Sequence, residues 1–176
     1  KTDDEQMEQE IISMVDEAHE QGALRESESM MIHNVLALDE KEAKDIMTHR
    51  KNIVAIDGNT PFSKAMDFII EETHSRFPVY EEDIDNIIGV LHVKDMMIEM
   101  RKHPLKKGDV RQMLRQPFFI PDTKEADELF RIMQETRHHM ALLVDEYGGF
   151  SGIVTIENLV EEIMGDINEE YEEVVP

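Results

Sequence analysis

Two strand-to-helix junctions hold the side chains best suited to chemistry: Thr155 and Asn158 in GIVTIENL (152–159), and His92 and Asp95 in GVLHVKDM (89–96). An apolar strand running straight into a helix presents free backbone N–H groups and the positive end of the helix dipole. A hydroxyl at that point can donate to a phosphate, and a polar side chain one turn later can take the two hydroxyls of a ribose. The same spacing has a purely structural use. A Thr followed three residues on by a polar side chain resembles a capping box, in which each residue satisfies the backbone of the other.

Other chemistries find little support. The chain has no Cys, which excludes a disulfide scaffold, a thiolate metal site and a Cys nucleophile. His138 and His139 are adjacent and point apart on any regular element, while His49, His74 and His103 lack partners at metal-ligand spacing. There is no Ser-His-Asp order, no phosphate-cradling glycine loop and no pair of catalytic carboxylates, so enzyme activity is not expected. The acidic run from Asp166 to Glu173 reads as a solvated helix end or linker, with weak divalent-cation binding as the alternative.

The elements that must position the junctions emerge from an internal repeat. An offset of 63 aligns Thr60 with Thr123, Ile69 with Ile132, Thr73 with Thr136, Val79 with Leu142, Gly89 with Gly152, His92 with Thr155 and Asp95 with Asn158. Upstream, DIMTHR (45–50) matches RQMLRQ (111–116) at an offset of 66. Each copy starts with a short helical turn and an extended stretch, NIVAI or PFFIP. A Thr in N-cap position follows, Thr60 or Thr123, then a helix with apolar residues at helical spacing. Phe62, Ala65, Met66, Ile69 and Ile70 form that face in the first copy, and Ala126, Leu129, Ile132 and Met133 in the second. Two strands come next, RFPVY and IIGVLHV or MALLV and GFSGIVTI, joined by the polar EEDID (81–85) or the turn DEYGG (145–149). A closing helix ends each copy, from Lys94 and from Glu157. The fold class is α/β (α+β), a tandem β-α-β-β-α unit packed as a pseudo-twofold pair, because about 55 residues bury too little surface alone.

Domain boundaries follow: a helical lead-in over 1–42, a first motif over 43–100, a connector over 101–109, a second motif over 110–165 and an acidic linker over 166–176. The lead-in carries 13 acidic and 3 basic residues and an amphipathic helix with Ile11, Met14, Val15 and Ala18 on one face. A second helix is expected in ESMMIHNVLAL. At 176 residues, 40% hydrophobic, the chain is an ordinary globular protein, and its net charge of −22 argues against nucleic acid as a partner. Its 13 Met are read as core filler. The sequence contains no apolar run near the roughly 20 residues of a membrane helix. Lys1 in place of an initial Met suggests a piece of a longer protein.

The tandem repeat with G-apolar-apolar-Thr-x-x-Asn closing a strand resembles a pair of CBS motifs, a Bateman module. AKDIMTHRKNIVAI, HSRFPVYEEDIDNIIGVLHVKDM and above all DEYGGFSGIVTIE resemble the CorC/HlyC family of magnesium and cobalt efflux proteins, related to the cyclin M transporters. The resemblance implies a cytoplasmic regulatory module, homodimeric, attached to a membrane transport domain, that binds ATP with Mg²⁺, or AMP, between its motifs. Carried over by motif, Thr155 faces phosphate and Asn158 faces ribose. Thr48, Ile53, Val54, Phe77 and Pro78 line the adenine end, and Arg76 pairs with phosphate. Asn158 stands where the pattern has Asp. A pseudo-equivalent cleft would use His92, Asp95, Arg115, Pro117, Met140 and Ala141, with His92 in place of Ser or Thr. The Thr155 cleft is favoured because it keeps the phosphate-facing hydroxyl. Two rivals stand beside this expectation: a dimerising scaffold with empty clefts, and a direct divalent-metal sensor using the acidic helices.

Overall fold

The computed structural model describes residues 2–165, so the acidic linker expected at 166–176 lies outside the described residues. The described residues form two compact units that cut across the repeat: 2–46, 123–137 and 155–165 in one, 47–122 and 138–154 in the other.

The second unit carries the sheets. A three-stranded sheet of order β2-β3-β4 is built from β2 (Ile56–Asp57), β3 (Arg76–Glu81) and β4 (Asp83–His92). β2 pairs parallel to β3, which requires a crossover, and α4 (Phe62–Glu71) supplies it. Phe62, Ala65 and Ile69 recur on one face of α4 and are buried with Phe77, Val79 and Leu91 of the sheet and Met96 of α5 (Val93–Lys102). The other face of β4 offers Ile87 and Val90, which pack with Met140, Leu142 and Phe150. The second sheet has the order β1-β7-β6-β5, from β1 (Thr48–His49), β5 (Phe119–Pro121), β6 (Met140–Val144) and β7 (Phe150–Thr155). β5 and β6 are again parallel, with Phe119 opposite Leu142.

Each copy lends a short segment to the other. β1, from the first copy, lies antiparallel on β7 of the second, pairing Thr48 with Ile153 and His49 with Gly152. Reciprocally, Arg115 of the second copy exchanges two backbone hydrogen bonds of 3.0 Å with Val90 of β4. Both crossings sit on a glycine. A Cβ on Gly152 would lie 2.3 Å from the Thr48 carbonyl oxygen, and one on Gly89 would lie 2.7 Å from Leu114 Cβ. The repeated Gly-apolar-apolar pattern is therefore set by close backbone approach. A second clamp joins the strand starts: the Asp85 carboxylate accepts from Arg50 Nη1 (2.7 Å) and from the Phe150 N–H (3.0 Å).

The first unit is helical. α1 (Thr2–Glu20) turns at Gly22 (φ +81) into α2 (Glu26–Leu38), and Asp16 and His33 bridge the pair at 2.9 Å. α3 (Ala43–Ile46), α6 (Ala126–Thr136) and α7 (Ile156–Met164) complete it. Asn34 Nδ2 donates to the Ile163 carbonyl at 2.9 Å, and Lys41 pairs with Glu162. No helix among the described residues is long and apolar enough to cross a membrane.

Several expectations are corrected. Thr60 and Thr123 do not cap helices: α4 and α6 start later, after Pro61 (ψ 152) and Glu125 (ψ 136), which stay extended. The N-cap places fall instead on Pro61 and Glu125, which are held extended by isolated bridges to Asp109 of the connector and Glu42 of the lead-in. EEDID is not a loop, because a single left-handed residue, Glu82 (φ 72), makes the turn and β4 starts at Asp83. In NIVAI only Ile56 is strand, Asn52 ending a 3-10 turn from Arg50. Ile70 (71% exposed) and, in α1, Ile11 (45%) and Met14 (71%) are not core, whereas Val15 is buried.

Gly152→Ala should lower the melting temperature by the cost of overpacking, about 1–3 kcal/mol in chemical denaturation, since the atom it meets is backbone and cannot swing away. An unchanged midpoint would show that β1 can leave β7 freely. The Asp85 carboxyl is held below its usual range by the Phe150 N–H and then by Arg50. A depressed carboxyl stabilises the fold above the unfolded pKa and ceases to do so as pH falls through the folded one. Asp85→Asn should therefore be less stable than the parent at neutral pH, with the gap closing below about pH 4. A gap that persists in acid would refute the ion clamp.

Candidate functional site

At the β7–α7 junction Thr155 is extended (φ −108, ψ 163) and ends its strand, while the next residue opens the helix. Its Oγ accepts from the Asn158 N–H at 3.1 Å, and Asn158 Oδ1 accepts from the Thr155 N–H at 2.9 Å. This is the reciprocal capping box that the spacing allowed. The cap fixes the chemistry left over. With one Oγ lone pair used as an acceptor, the hydroxyl keeps its O–H as a donor. The amide retains its NH₂ group and one lone pair for anything else.

The β4–α5 junction is built differently. His92 makes no cap hydrogen bond to α5. Asp95, one turn on, is gripped by Arg115 through Nε–Oδ2 and Nη2–Oδ1, both 2.8 Å. The backbone of Arg115 is pinned to Val90, so this bidentate fork is delivered by the strand crossing. Those bonds, together with the charge of Arg115, hold the Asp95 carboxyl below its usual range. Strand register places Arg76 directly opposite His92. Burial, then the Arg115 and Arg76 guanidiniums, depress the His92 imidazole; His139 adds to this and Asp95 opposes it. Arg76 reaches Ser75 Oγ only at 3.4 Å, and its buried Nε has no hydrogen-bond partner among the described residues. An unmade bond of that kind costs about 1–3 kcal/mol, and more for a charged group.

The remaining sequence-derived residues fall as follows. Thr48 lies in β1, Ile53 packs on the Val90–Met140–Phe150 cluster, and Val54 packs on the α4–α5 core. Phe77 and Pro78 are buried in β3, and Met140 and Ala141 are buried in β6. These residues, with Arg76, His92, Asp95, Arg115 and Pro117, belong to the sheet-bearing unit, while Thr155 and Asn158 belong to the helical one. The structure thus brings His92, Asp95, Arg115 and Arg76 together. His139 joins that group although the motif did not name it. The signal was available, since His139 lies 63 residues after Arg76, at the equivalent position of the repeat. His138 stacks on Phe118 with ring centroids 4.2 Å apart and planes within 2°. Among the described residues no three His, Asp or Glu side chains are grouped to hold a metal ion.

Comparison with known proteins places this architecture. The CBS domain family matches residues 43–102 and 108–165. The magnesium and cobalt efflux protein CorC of Escherichia coli (strain K12) is 34% identical over 164 residues, covering 93% of this chain and 56% of that protein. The chain spans about half the length of the curated relatives it matches, or less. A solved CBS domain of a bacterial CNNM/CorC family Mg²⁺ transporter superposes with a TM-score of 0.83 at 36% identity, covering 90% of this chain and 96% of that one. A CBS domain of the same description, solved in complex with ATP, gives a TM-score of 0.74 at 37% identity over 78% of this chain and 97% of that one. With two matched motifs, a shared fold and identity above one third along nearly the full length of a solved relative, the chain belongs to the CBS domain family, as a tandem pair of the CNNM/CorC type.

Proposed function

We propose that this CBS pair binds an adenosine nucleotide, ATP with Mg²⁺ or AMP, and thereby regulates divalent-cation transport by the protein that carries it. The observation that supports this reading most is the Thr155 hydroxyl, positioned by its cap at a strand-to-helix junction with its O–H still available to donate. A similar CBS domain has been solved with ATP bound, which supports the ligand class. In this reading Thr155 donates to phosphate and Asn158 contacts ribose. Thr48, Ile53, Val54, Phe77 and Pro78 receive adenine, and Arg76 offers a fork to phosphate. Magnesium matters because a chain of net charge −22 repels a bare polyphosphate, and the ion offsets that charge while keeping most of its waters.

The module acts by binding and not by catalysis, as the cytoplasmic part of a membrane transporter. Residues 1–42 serve as its lead-in and 43–100 and 110–165 as its motifs. A second copy of the chain is the natural cover for Ile70 of α4 and for Met97 and Ile98 of α5, which are 71%, 58% and 45% exposed. A scaffold reading competes, and one observation favours it: Thr155 and Asn158 satisfy each other without any ligand.

Calorimetric titration separates the two. ATP affinity should rise with Mg²⁺ and fall on the order of tenfold in Thr155→Ile, the worth of one lost hydrogen bond. Heat from neither ATP nor AMP, with or without Mg²⁺, would overturn the nucleotide reading and leave the scaffold and the direct metal sensor, which heat on Mg²⁺ alone would tell apart.

A further inference from the structure

The connector between the two motifs reverses the charge of the chain around it. Residues 101–107 hold Arg101, Lys102, Lys106 and Lys107 and no acidic residue, in a chain with 40 acidic and 18 basic residues. Within that run stands Leu105, 91% exposed, more than any other large apolar side chain among the described residues. We propose that this turn is a contact site for an anionic lipid bilayer. Leu105 enters the headgroup layer, and Arg101, Lys102 and Lys107 meet anionic headgroups around it. This goes beyond the nucleotide reading and does not rest on it.

The tip is held in a fixed shape. After α5 ends at Lys102, the Lys106 N–H donates to the His103 carbonyl at 3.0 Å, closing a turn with Pro104 and Leu105 at its corner. Proline in the first corner position sets φ in advance. Lys106 Nζ donates to Glu99 at 2.9 Å and lies 5.7 Å from the ring centroid of the buried Phe62, which ties the base of the turn to α5 and α4. Just beyond, Pro61 bridges Asp109, and the Val110 N–H donates to the Thr60 carbonyl at 3.1 Å. An apolar side chain on a pinned turn gives up little freedom when it is buried elsewhere. The charges around it are available. Arg101, Lys102 and Lys107 are exposed and form no ion pair among the described residues. The acidic neighbours along the chain, Glu99 and Asp109, are already paired with Lys106 and Arg111. The shape then decides the partner. A protein would have to supply a pocket matched to one protruding side chain, whereas a bilayer interface yields to it and offers anionic headgroups to its basic rim.

The net charge of −22 does not forbid this contact. At physiological ionic strength, exposed charges more than about 8 Å apart are largely screened, so the bilayer meets the local rim and not the whole chain. The acidic remainder disfavours other orientations and leaves the turn as the point of approach. One apolar side chain with a few cations makes a weak, reversible contact, and salt loosens it.

The chain has no Trp, so Leu105→Trp places a single fluorescent reporter at the tip. Tyr147→Trp places one at the DEYGG turn, where Tyr147 is 88% exposed but follows Asp145 and Glu146. Vesicles of phosphatidylcholine mixed with phosphatidylserine should shift the Leu105→Trp emission to the blue, and lipid brominated in its acyl chains should quench it. Vesicles of phosphatidylcholine alone should do neither, and Tyr147→Trp should respond to none of them. In co-sedimentation with the mixed vesicles, Leu105→Ser should bind on the order of tenfold more weakly than the parent. Combining Arg101→Gln, Lys102→Gln and Lys107→Gln should weaken binding roughly a hundredfold, at about fivefold per charge. All these side chains are exposed, and circular dichroism checks that each variant folds. No emission shift at Leu105→Trp overturns the membrane contact, as does an equal shift with phosphatidylcholine alone or at Tyr147→Trp. Equal sedimentation of the parent and Leu105→Ser also overturns it, whatever the reporter shows, because Trp itself favours interfaces. Neither readout involves a nucleotide, so this proposal and the nucleotide reading fail separately.

Discussion

At residues 89 and 152 the backbone of the opposite copy comes so close that no side chain fits between. A Cβ on Gly152 would be 2.3 Å from a carbonyl oxygen, well inside any real contact. Much follows from these two crossings. A copy of about 55 residues cannot bury enough surface to stand alone. Lending a segment to the other copy makes the pairing part of the hydrogen-bonded backbone, with Thr48 and His49 on β7 and Arg115 on β4. The junctions inherit their place from the same contacts. His92 and Thr155 each lie three residues beyond a crossing glycine, so strand register sets where each strand ends and its helix starts. Arg115 reaches Asp95 because its backbone is already bound to Val90.

Local signals in the sequence carried much of this. MALLV is β6 without a residue to spare, and DEYGG turns because Asp145 accepts from the Tyr147 and Gly149 N–H groups while Gly148 takes φ +81. The Thr155–Asn158 box was legible from its spacing, because a capping box is a local device. What escaped depends on partners far along the chain. Thr60 and Thr123 looked like caps, yet Pro61 and Glu125 are recruited into bridges with Asp109 and Glu42, and no rule of propensity sees a segment 83 residues away. β1 is two residues long and exists only because β7 passes it. Ile11, Met14 and Ile70 show the complementary limit, since periodicity finds an apolar face without saying what covers it.

The first junction was legible by position but not by chemistry. The motif offered His92 and Asp95 as a weakened version of a hydroxyl and a carboxylate. The structure makes them members of a charge cluster, in which Arg115 arrives through the crossing and Arg76 through strand register. His139, at the repeat position of Arg76, contributes through charge alone. Offset arithmetic identifies such a residue, but only the folded backbone shows which cations share a space.

A helix start has donors to satisfy, and the two copies meet that need by different means. In the second copy the side chains do it, and the by-product is a neutral hydroxyl whose oxygen is held in place by the cap. Such a group is indifferent to pH near neutrality. In the first copy no side chain caps the helix, and burial with the nearby Arg115 and Arg76 guanidiniums depresses the His92 imidazole, while Arg115 is itself paired with Asp95. The repeat therefore sets one backbone geometry twice, and different side chains at equivalent positions leave it a self-capped junction in one copy and a cluster of charged groups around Asp95 and His92 in the other.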